Sequence, residues 1–387
     1  MKRNVVIIIV LMLVSQFGQA QRVFQLISKH NLKGIETCLK KGIANDDLFK
    51  TMRGYSDFAD VETTFSLIEF SVYSGCKECV ELFMSDSKIK SQLNVAEELS
   101  KSVAHAVENN DVMMLDFLLQ QGVDVNRSCE WCYGQKPVQI ALNNANFPMF
   151  FGIYDAGAEV ITQNMRGHNL FHSLALSFNN EAMVYQLSDS VAELSVIMAL
   201  RIAQILLDSG VDINATDTLG YTPIMYAAAT NNAVFYDFFR KNAQRPDISD
   251  KTALVSWLNQ SMWFVHQGKS DIFYENLFFD IIKDENIKLS ADLVATNDYS
   301  GNNMLFNAVF SENNQVFDYL VHLNRNFEIE NEGLSLIHWA VIYGNEHICW
   351  VLLDNNAKVD NSTYKLAKKT FKKHPELLDN FANALDE

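Results

Sequence analysis

Apolar residues recur along this chain in short blocks of helical spacing, most of them closing on a glycine-containing ending. That pattern predicts pairs of short helices, each with one apolar stripe. A pair this small cannot bury its stripe alone, so successive pairs must stack into a continuous core. Two stretches are longer. Residues 179–196, NNEAMVYQLSDSVAELSV, keep helical spacing without Pro or Gly and predict a lengthened helix pair. Residues 262–300 carry Met262-Trp263-Phe264-Val265-His266, then Gly268 and an aromatic-rich helix over 272–282, a second enlarged unit. Residues 44–59 read as an irregular insert. The basic helical stretch 365–373 and the acidic residues after it read as a helical end cap over 361–387, the polar terminus a stack requires.

The blocks are copies of one another. Thr222-Pro223-Ile224-Met225-Tyr226-Ala227-Ala228 follows Gly210-Val211-Asp212-Ile213-Asn214 and Asp217-Thr218-Leu219-Gly220. Lys136-Pro137-Val138-Gln139-Ile140-Ala141 leads to Gly157-Ala158-Glu159-Val160, and Ser335-Leu336-Ile337-His338-Trp339-Ala340 leads through Gly344 to Val351-Leu352-Leu353. Aligned on the Thr position, units start at Ser66, Lys101, Lys136, Asn169, Thr222, Thr252, Asn303 and Ser335. The intervals, by subtraction, are 35, 35, 33, 53, 30, 51 and 32 residues. The heptapeptide at Thr222 resembles the T-P-L-H-x-A-A signature of the ankyrin repeat, whose period is about 33 residues. The segments before it resemble that family's G-A-D-V-N ending and D-x-x-G hairpin tip.

The resemblance implies an all-α ankyrin-repeat solenoid over residues 21–360, with about eight to nine repeats including degenerate ones. Its units would be helix–turn–helix pairs with short β-hairpin tips and almost no sheet. Thr or Ser at a unit start would cap the first helix, and Pro would follow where no donor is needed. His172 and His338 stand where the signature has its His, which in the family bonds backbone between repeats. The family's variable tip and first-helix positions form its concave binding face. Mapped residue by residue, they give Met165, Arg166, Thr218, Leu219, Tyr221, Tyr299, Phe310, Leu334 and Tyr343 as candidate partner-binding residues, with His168, Tyr73 and Ile342 at further such positions. Trp131 and Tyr133 lie on an elongated tip.

The N-terminus adds a location. Lys2 and Arg3 precede the apolar run Val5–Val14, and Gly18-Gln19-Ala20 supplies small residues for cleavage before Gln21. This is the pattern of a signal peptide over 1–20, with a periplasmic or secreted destination. No later stretch is apolar and long enough for a membrane span. The formal charge of −16 becomes −18 without Lys2 and Arg3, and so acidic a surface disfavours nucleic acid as a partner. N-x-S/T occurs at Asn126, Asn214, Asn259 and Asn361. The first two sit in repeat endings where a glycan would disturb stacking, which favours a bacterial envelope.

Chemistry is sparse. His168 and His172 are spaced as helix neighbours, but no third metal ligand is visible. Cys76/Cys79 and Cys129/Cys132 are C-x-x-C pairs too far apart for a usual zinc site. The first falls at the start of a second helix. The second falls on a tip two residues longer than that at Asp217, which makes Cys129–Cys132 a disulfide candidate in an oxidising compartment. Cys38 and Cys349 read as buried thiols. No nucleophile elbow, phosphate loop or H-E-x-x-H motif occurs, and neither a metal nor a cofactor is implied. The sequence thus points to a non-enzymatic scaffold that binds a protein partner on its concave face. The rival reading is a secreted effector or enzyme with an unrecognised site in the enlarged repeats.

Overall fold

The computed structural model describes residues 19–43, 48–56, 59–129, 132–177, 189–243, 246–263, 276–327 and 329–385. Residues 1–18 of the expected signal peptide, Trp131 and much of the two enlargements (178–188 and 264–275) lie outside the described residues. The chain forms two compact units, Met1–Leu170 and Phe171–Glu387.

The first unit stacks helix pairs. Helices α1 (Gln19–Ser28) and α2 (Leu32–Lys41) are followed by strands β1 (Phe49–Ser56) and β2 (Ala59–Ser66). Then come α3 (Leu67–Tyr73) and α4 (Lys77–Ser85), a short α5 (Ser87–Gln92), α6 (Val95–Glu108) with α7 (Val112–Gln120), and α8 (Pro137–Asn143) with α9 (Phe147–Asp155). The second unit takes up α10 (Leu170–Ser177) at the boundary and the 20-residue α11 (Asp189–Asp208), which accounts for part of the 53-residue interval. Helices α12 (Pro223–Ala229) and α13 (Ala233–Asn242) follow, then α14 (Lys251–Ser261), α15 (Leu277–Asp284) and the short α16 (Ala291–Ala295). Helices α17 (Met304–Phe310) and α18 (Asn314–Leu323), a two-residue ladder of β3 (Glu330–Asn331) and β4 (Leu334–Ser335), α19 (Leu336–Ile342) and α20 (Glu346–Asp354) come next. Helices α21 (Asn361–Thr370) and α22 (Pro375–Asn383) are the last helices among the described residues.

The turn between paired helices is built the same way in both units. Its last residue accepts the free N–H three residues into the second helix: Asp111 from Met114, Asn146 from Met149, Asn232 from Phe235, Asn313 from Val316 and Asn345 from Ile348, all at 3.0–3.2 Å. The residue before it is left-handed, with φ between 51° and 68° at Asn110, Ala145, Asn231, Glu312 and Gly344. In unit 1, Val103, Leu118, Ile140 and Phe150 are buried between pairs; in unit 2, Ala227, Trp257, Phe278, Leu320 and Ile348 are.

Three expectations need correction. Within the 44–59 insert, Phe49–Ser56 forms an eight-residue strand paired antiparallel with Ala59–Ser66, from Phe49↔Ser66 to Ser56↔Ala59, so this part of it is regular. Its β-formers, Val61, Thr63, Thr64 and Phe65, lie beyond the stretch taken as the insert, and β1 has no clear alternation. At the Lys101 unit there is no tip, because α6 starts six residues earlier, at Val95. Thr222 does not cap its helix by its hydroxyl, which is buried without a hydrogen-bond partner. The Met225 N–H bonds the Thr222 carbonyl instead, at 3.1 Å. Ser66, Asn303 and Ser335 do cap, at 3.1–3.3 Å, and Asp250 rather than Thr252 caps α14.

Candidate partner-binding surface

Three tips share one construction. Asp217 Oδ1 accepts from the N–H groups of Leu219 and Tyr221, each at 2.9 Å. Asp298 Oδ1 accepts from Ser300 and Asn302 at 2.9 Å. In unit 1, Asn164 Oδ1 accepts from Arg166 at 2.9 Å and His168 at 3.0 Å. A short side chain thus closes each turn on its own backbone, and Gly167, Gly220 and Gly301 take the left-handed position at φ 78°, 98° and 84°.

In unit 1, Met165 is 70% exposed and Arg166 is exposed. The Arg166 guanidinium lies over the Tyr133 ring at 4.4 Å, and the Met165 N–H bonds the Tyr133 carbonyl at 2.9 Å. Tyr133 itself is left-handed, at φ 57°. The longer tip before it is closed by hydrogen bonds from Cys129 N–H to the Gln135 carbonyl and from Gly134 N–H to the Cys129 carbonyl. The sulfurs of Cys129 and Cys132 are paired, with Cα atoms 5.4 Å apart, as are those of Cys76 and Cys79. Cys349 is buried, its thiol pushed up to about 12 by that burial, whereas Cys38 is only half-buried.

In unit 2, Thr218 is exposed and Leu219 is 58% exposed. Tyr221 is not a surface residue: it is buried, and its hydroxyl bonds Ser300 Oγ at 2.7 Å. Its ring meets Tyr299 edge to face at 5.5 Å, and burial pushes its phenol up. It joins two tips instead of facing a partner. Tyr299 stays half-buried. Asn331 Nδ2 bonds Asn302 Oδ1, linking the next tip, and the Trp339 indole N–H bonds the Asn331 carbonyl at 3.1 Å. On the first-helix face, Phe310 packs 5.3 Å from Trp339 and 5.9 Å from Tyr343. Phe310 and Leu334 are half-buried, while Ile342 and Tyr343 are exposed. In unit 1, half-buried Tyr73 packs against Phe65.

Between repeats, the carbonyl just before a unit start is met by a side-chain donor from the preceding first helix. Gln139 Nε2 reaches the His168 carbonyl at 3.0 Å, His172 Nε2 that of Tyr221 at 3.2 Å, and Asn259 Nδ2 that of Asn302 at 3.2 Å. His338 departs from the family pattern, with Nδ1 2.8 Å from Thr363 Oγ1, a side chain. The sequence marked His172 for this task; Gln139 and Asn259, which do the same, lack the signature's histidine. Asn259 is fully buried, so its N-x-S pattern cannot take a glycan in the folded chain.

Among the described residues, no three His, Cys, Asp or Glu side chains gather as a metal site, and no helix is long and apolar enough to cross a membrane. Stacked helix pairs joined by such tips define a repeat solenoid. A family model for ankyrin repeats (3 copies) matches residues 262–363, and one for ankyrin repeats (many copies) matches residues 199–240. The chain is an ankyrin-repeat protein, and such repeats suggest a role in protein–protein interaction. No curated protein matches it.

Proposed function

We propose that the chain is an exported scaffold, periplasmic or secreted, that binds a protein partner through its tips and first-helix faces and catalyses no reaction. The observation that carries the binding reading is apolar exposure at positions whose backbone is fixed by hydrogen bonds: Met165, bonded to the Tyr133 carbonyl, Leu219, bonded to Asp217, and Tyr343, at the end of its helix. Apolar groups carried on a fixed backbone need no further ordering of the main chain on contact and make effective anchors. Export is supported by the charged start, apolar run and small-residue site before Gln21. Two tests apply. Capture of a stoichiometric partner by the mature chain, lost on Leu219→Ala/Tyr299→Ala with folding intact, supports the binding face; unchanged capture removes it. N-terminal sequencing after cell fractionation should give Gln21; an intact Met1 in the cytoplasm overturns export.

A further inference from the structure

We propose that the tip row of the second unit is a docking strip for a basic, extended polypeptide segment. This rests on the partner-binding reading above and names the chemistry of the partner.

The row is continuous. A Cβ on Gly220 would stand 2.9 Å from the Tyr299 ring, so that ring lies directly on the first tip. The Tyr299 N–H bonds Ser256 Oγ at 3.0 Å, so helix α14, which the turn at 247–250 opens and Asp250 caps, lies against this tip. Asn302 and Asn331 join the third tip to the fourth. Along this row Leu219 is 58% and Ile248 47% exposed, with Tyr299 and Leu334 half-buried. The apolar groups stand singly on separate tips. They offer no broad apolar plane to a folded partner, but they suit a chain that presents side chains at intervals.

Charge selects the occupant. Asp247, Asp250, Glu330 and Glu332 are all exposed on these tips. Hydrogen bonds from the Ser249 hydroxyl and N–H hold Asp247 below the usual carboxylate range. Buried Asp217 and Asp298 lie behind them. Among the described residues of the four tips there is no Lys or Arg, and Lys251, the first residue of α14 beside the second tip, is engaged with Asp292. An acidic peptide, nucleic acid or anionic lipid surface meets repulsion here; Lys or Arg side chains flanking aliphatic anchors meet both complements.

The test uses the mature full-length chain and a fluorescein-labelled peptide alternating Lys with Leu and Thr, read by anisotropy, beside the same peptide with Glu for Lys. Asp247→Asn/Glu330→Gln/Glu332→Gln is compared with Asp354→Asn/Glu376→Gln/Asp379→Asn, which removes equal charge from exposed positions off the tips. The tip variant should weaken binding on the order of tenfold, and the control less than about twofold. Leu219→Ala/Tyr299→Ala should weaken it further at high salt, where charge attraction is screened. Equal loss in both charge variants means diffuse attraction of a polycation, and comparable binding of the Glu peptide means no charge selection; either overturns the proposal. If the Lys peptide fails while Leu219→Ala/Tyr299→Ala still abolishes capture of the natural partner, the basic-segment inference falls and the binding face stands. If neither measurement moves, both fall.

Discussion

Glu69 Oε1 lies 3.1 Å from His105 Nε2, with both residues buried, at the joint between the Ser66 and Lys101 units. Glu69 occupies the position that carries Gln139 and His172 in other units, where the side chain donates to a carbonyl. Here α6 has no tip before it, so the equivalent Ser100 carbonyl lies inside a helix. The sequence answers by exchanging donor for acceptor and placing a donor, His105, opposite. The imidazole packs 5.2 Å from the Phe65 ring and 5.6 Å from Tyr73. Close by, Lys101 titrates above its usual range: burial lowers it, but the bond to Glu98 and the charges of Glu98, Glu97 and Glu69 outweigh that.

Removing either partner should therefore deprive a buried polar group of this bond. Glu69→Ala and His105→Ala should each cost about 1–3 kcal/mol. The double variant should cost less than the sum, with a coupling of about 0.5–3 kcal/mol. Urea denaturation of the three variants measures this, and simple additivity would show that the contact contributes nothing.

Gly220→Ala should destabilise unit 2 by more than about 1 kcal/mol, since φ 98° is strained for alanine and the new methyl meets Tyr299. Adding Tyr299→Ala should recover the steric part alone. Full recovery on thermal melting would mean that backbone strain is negligible.

Exposure separates neighbours on one tip. Leu219→Ala should change stability by no more than about 0.5 kcal/mol. Tyr221→Ala should cost about 3 kcal/mol or more, because it empties a buried site. Ala227, fully buried in α12, should tolerate a bulky residue only at about 1–3 kcal/mol. Early unfolding of the Leu219 variant would return that residue to the core.

Asp360 caps α21, and bonds from the Thr363 N–H and hydroxyl hold its pKa below the usual carboxylate range. Its contribution is full above the unfolded-state value near 3.8 and is lost as pH falls through the lower folded value. The melting-temperature gap between wild type and Asp360→Ala should be constant near neutrality and shrink in acid. A gap that widens in acid would reverse the assignment.

Exported protein should carry Cys129 and Cys132 joined, and native alkylation should spare Cys349, which is buried with its thiol unionised. Mass spectrometry of unreduced, alkylated protein reads both; free thiols at 129 and 132 would end the disulfide reading.

Much of this fold was legible because stacking imposes a period: Thr222-Pro223, the Asp217 and Asp298 tips and the Gly endings recur in phase. The Phe49–Ser66 hairpin was not, since it interrupts the period and β1 lacks alternation. Tyr221 was misread because its place in the signature is exposed in the family pattern. Here Tyr299 and Ser300, from the tip after next in sequence, close over it, a contact that one-dimensional spacing does not encode. The asparagine and glutamine links between repeats were invisible for a simpler reason: either residue at a helix surface is ordinary.

The turn asparagines do two jobs at once. While each caps its own helix, the side-chain amide reaches back to the preceding pair: Asn232 to the Leu174 and Ala175 carbonyls, Asn313 to that of Met262, Asn345 to Asn314 Oδ1, and in unit 1 Asn146 to Asn110. The alignment mark between neighbours is thus carried by a short segment around each first helix and turn. Length added elsewhere, as in the 53- and 51-residue intervals, leaves that mark untouched. Such a chain is modular in the engineer's sense: loops and outer helices can be lengthened or grafted without resetting the pitch, provided the asparagine at the turn is kept.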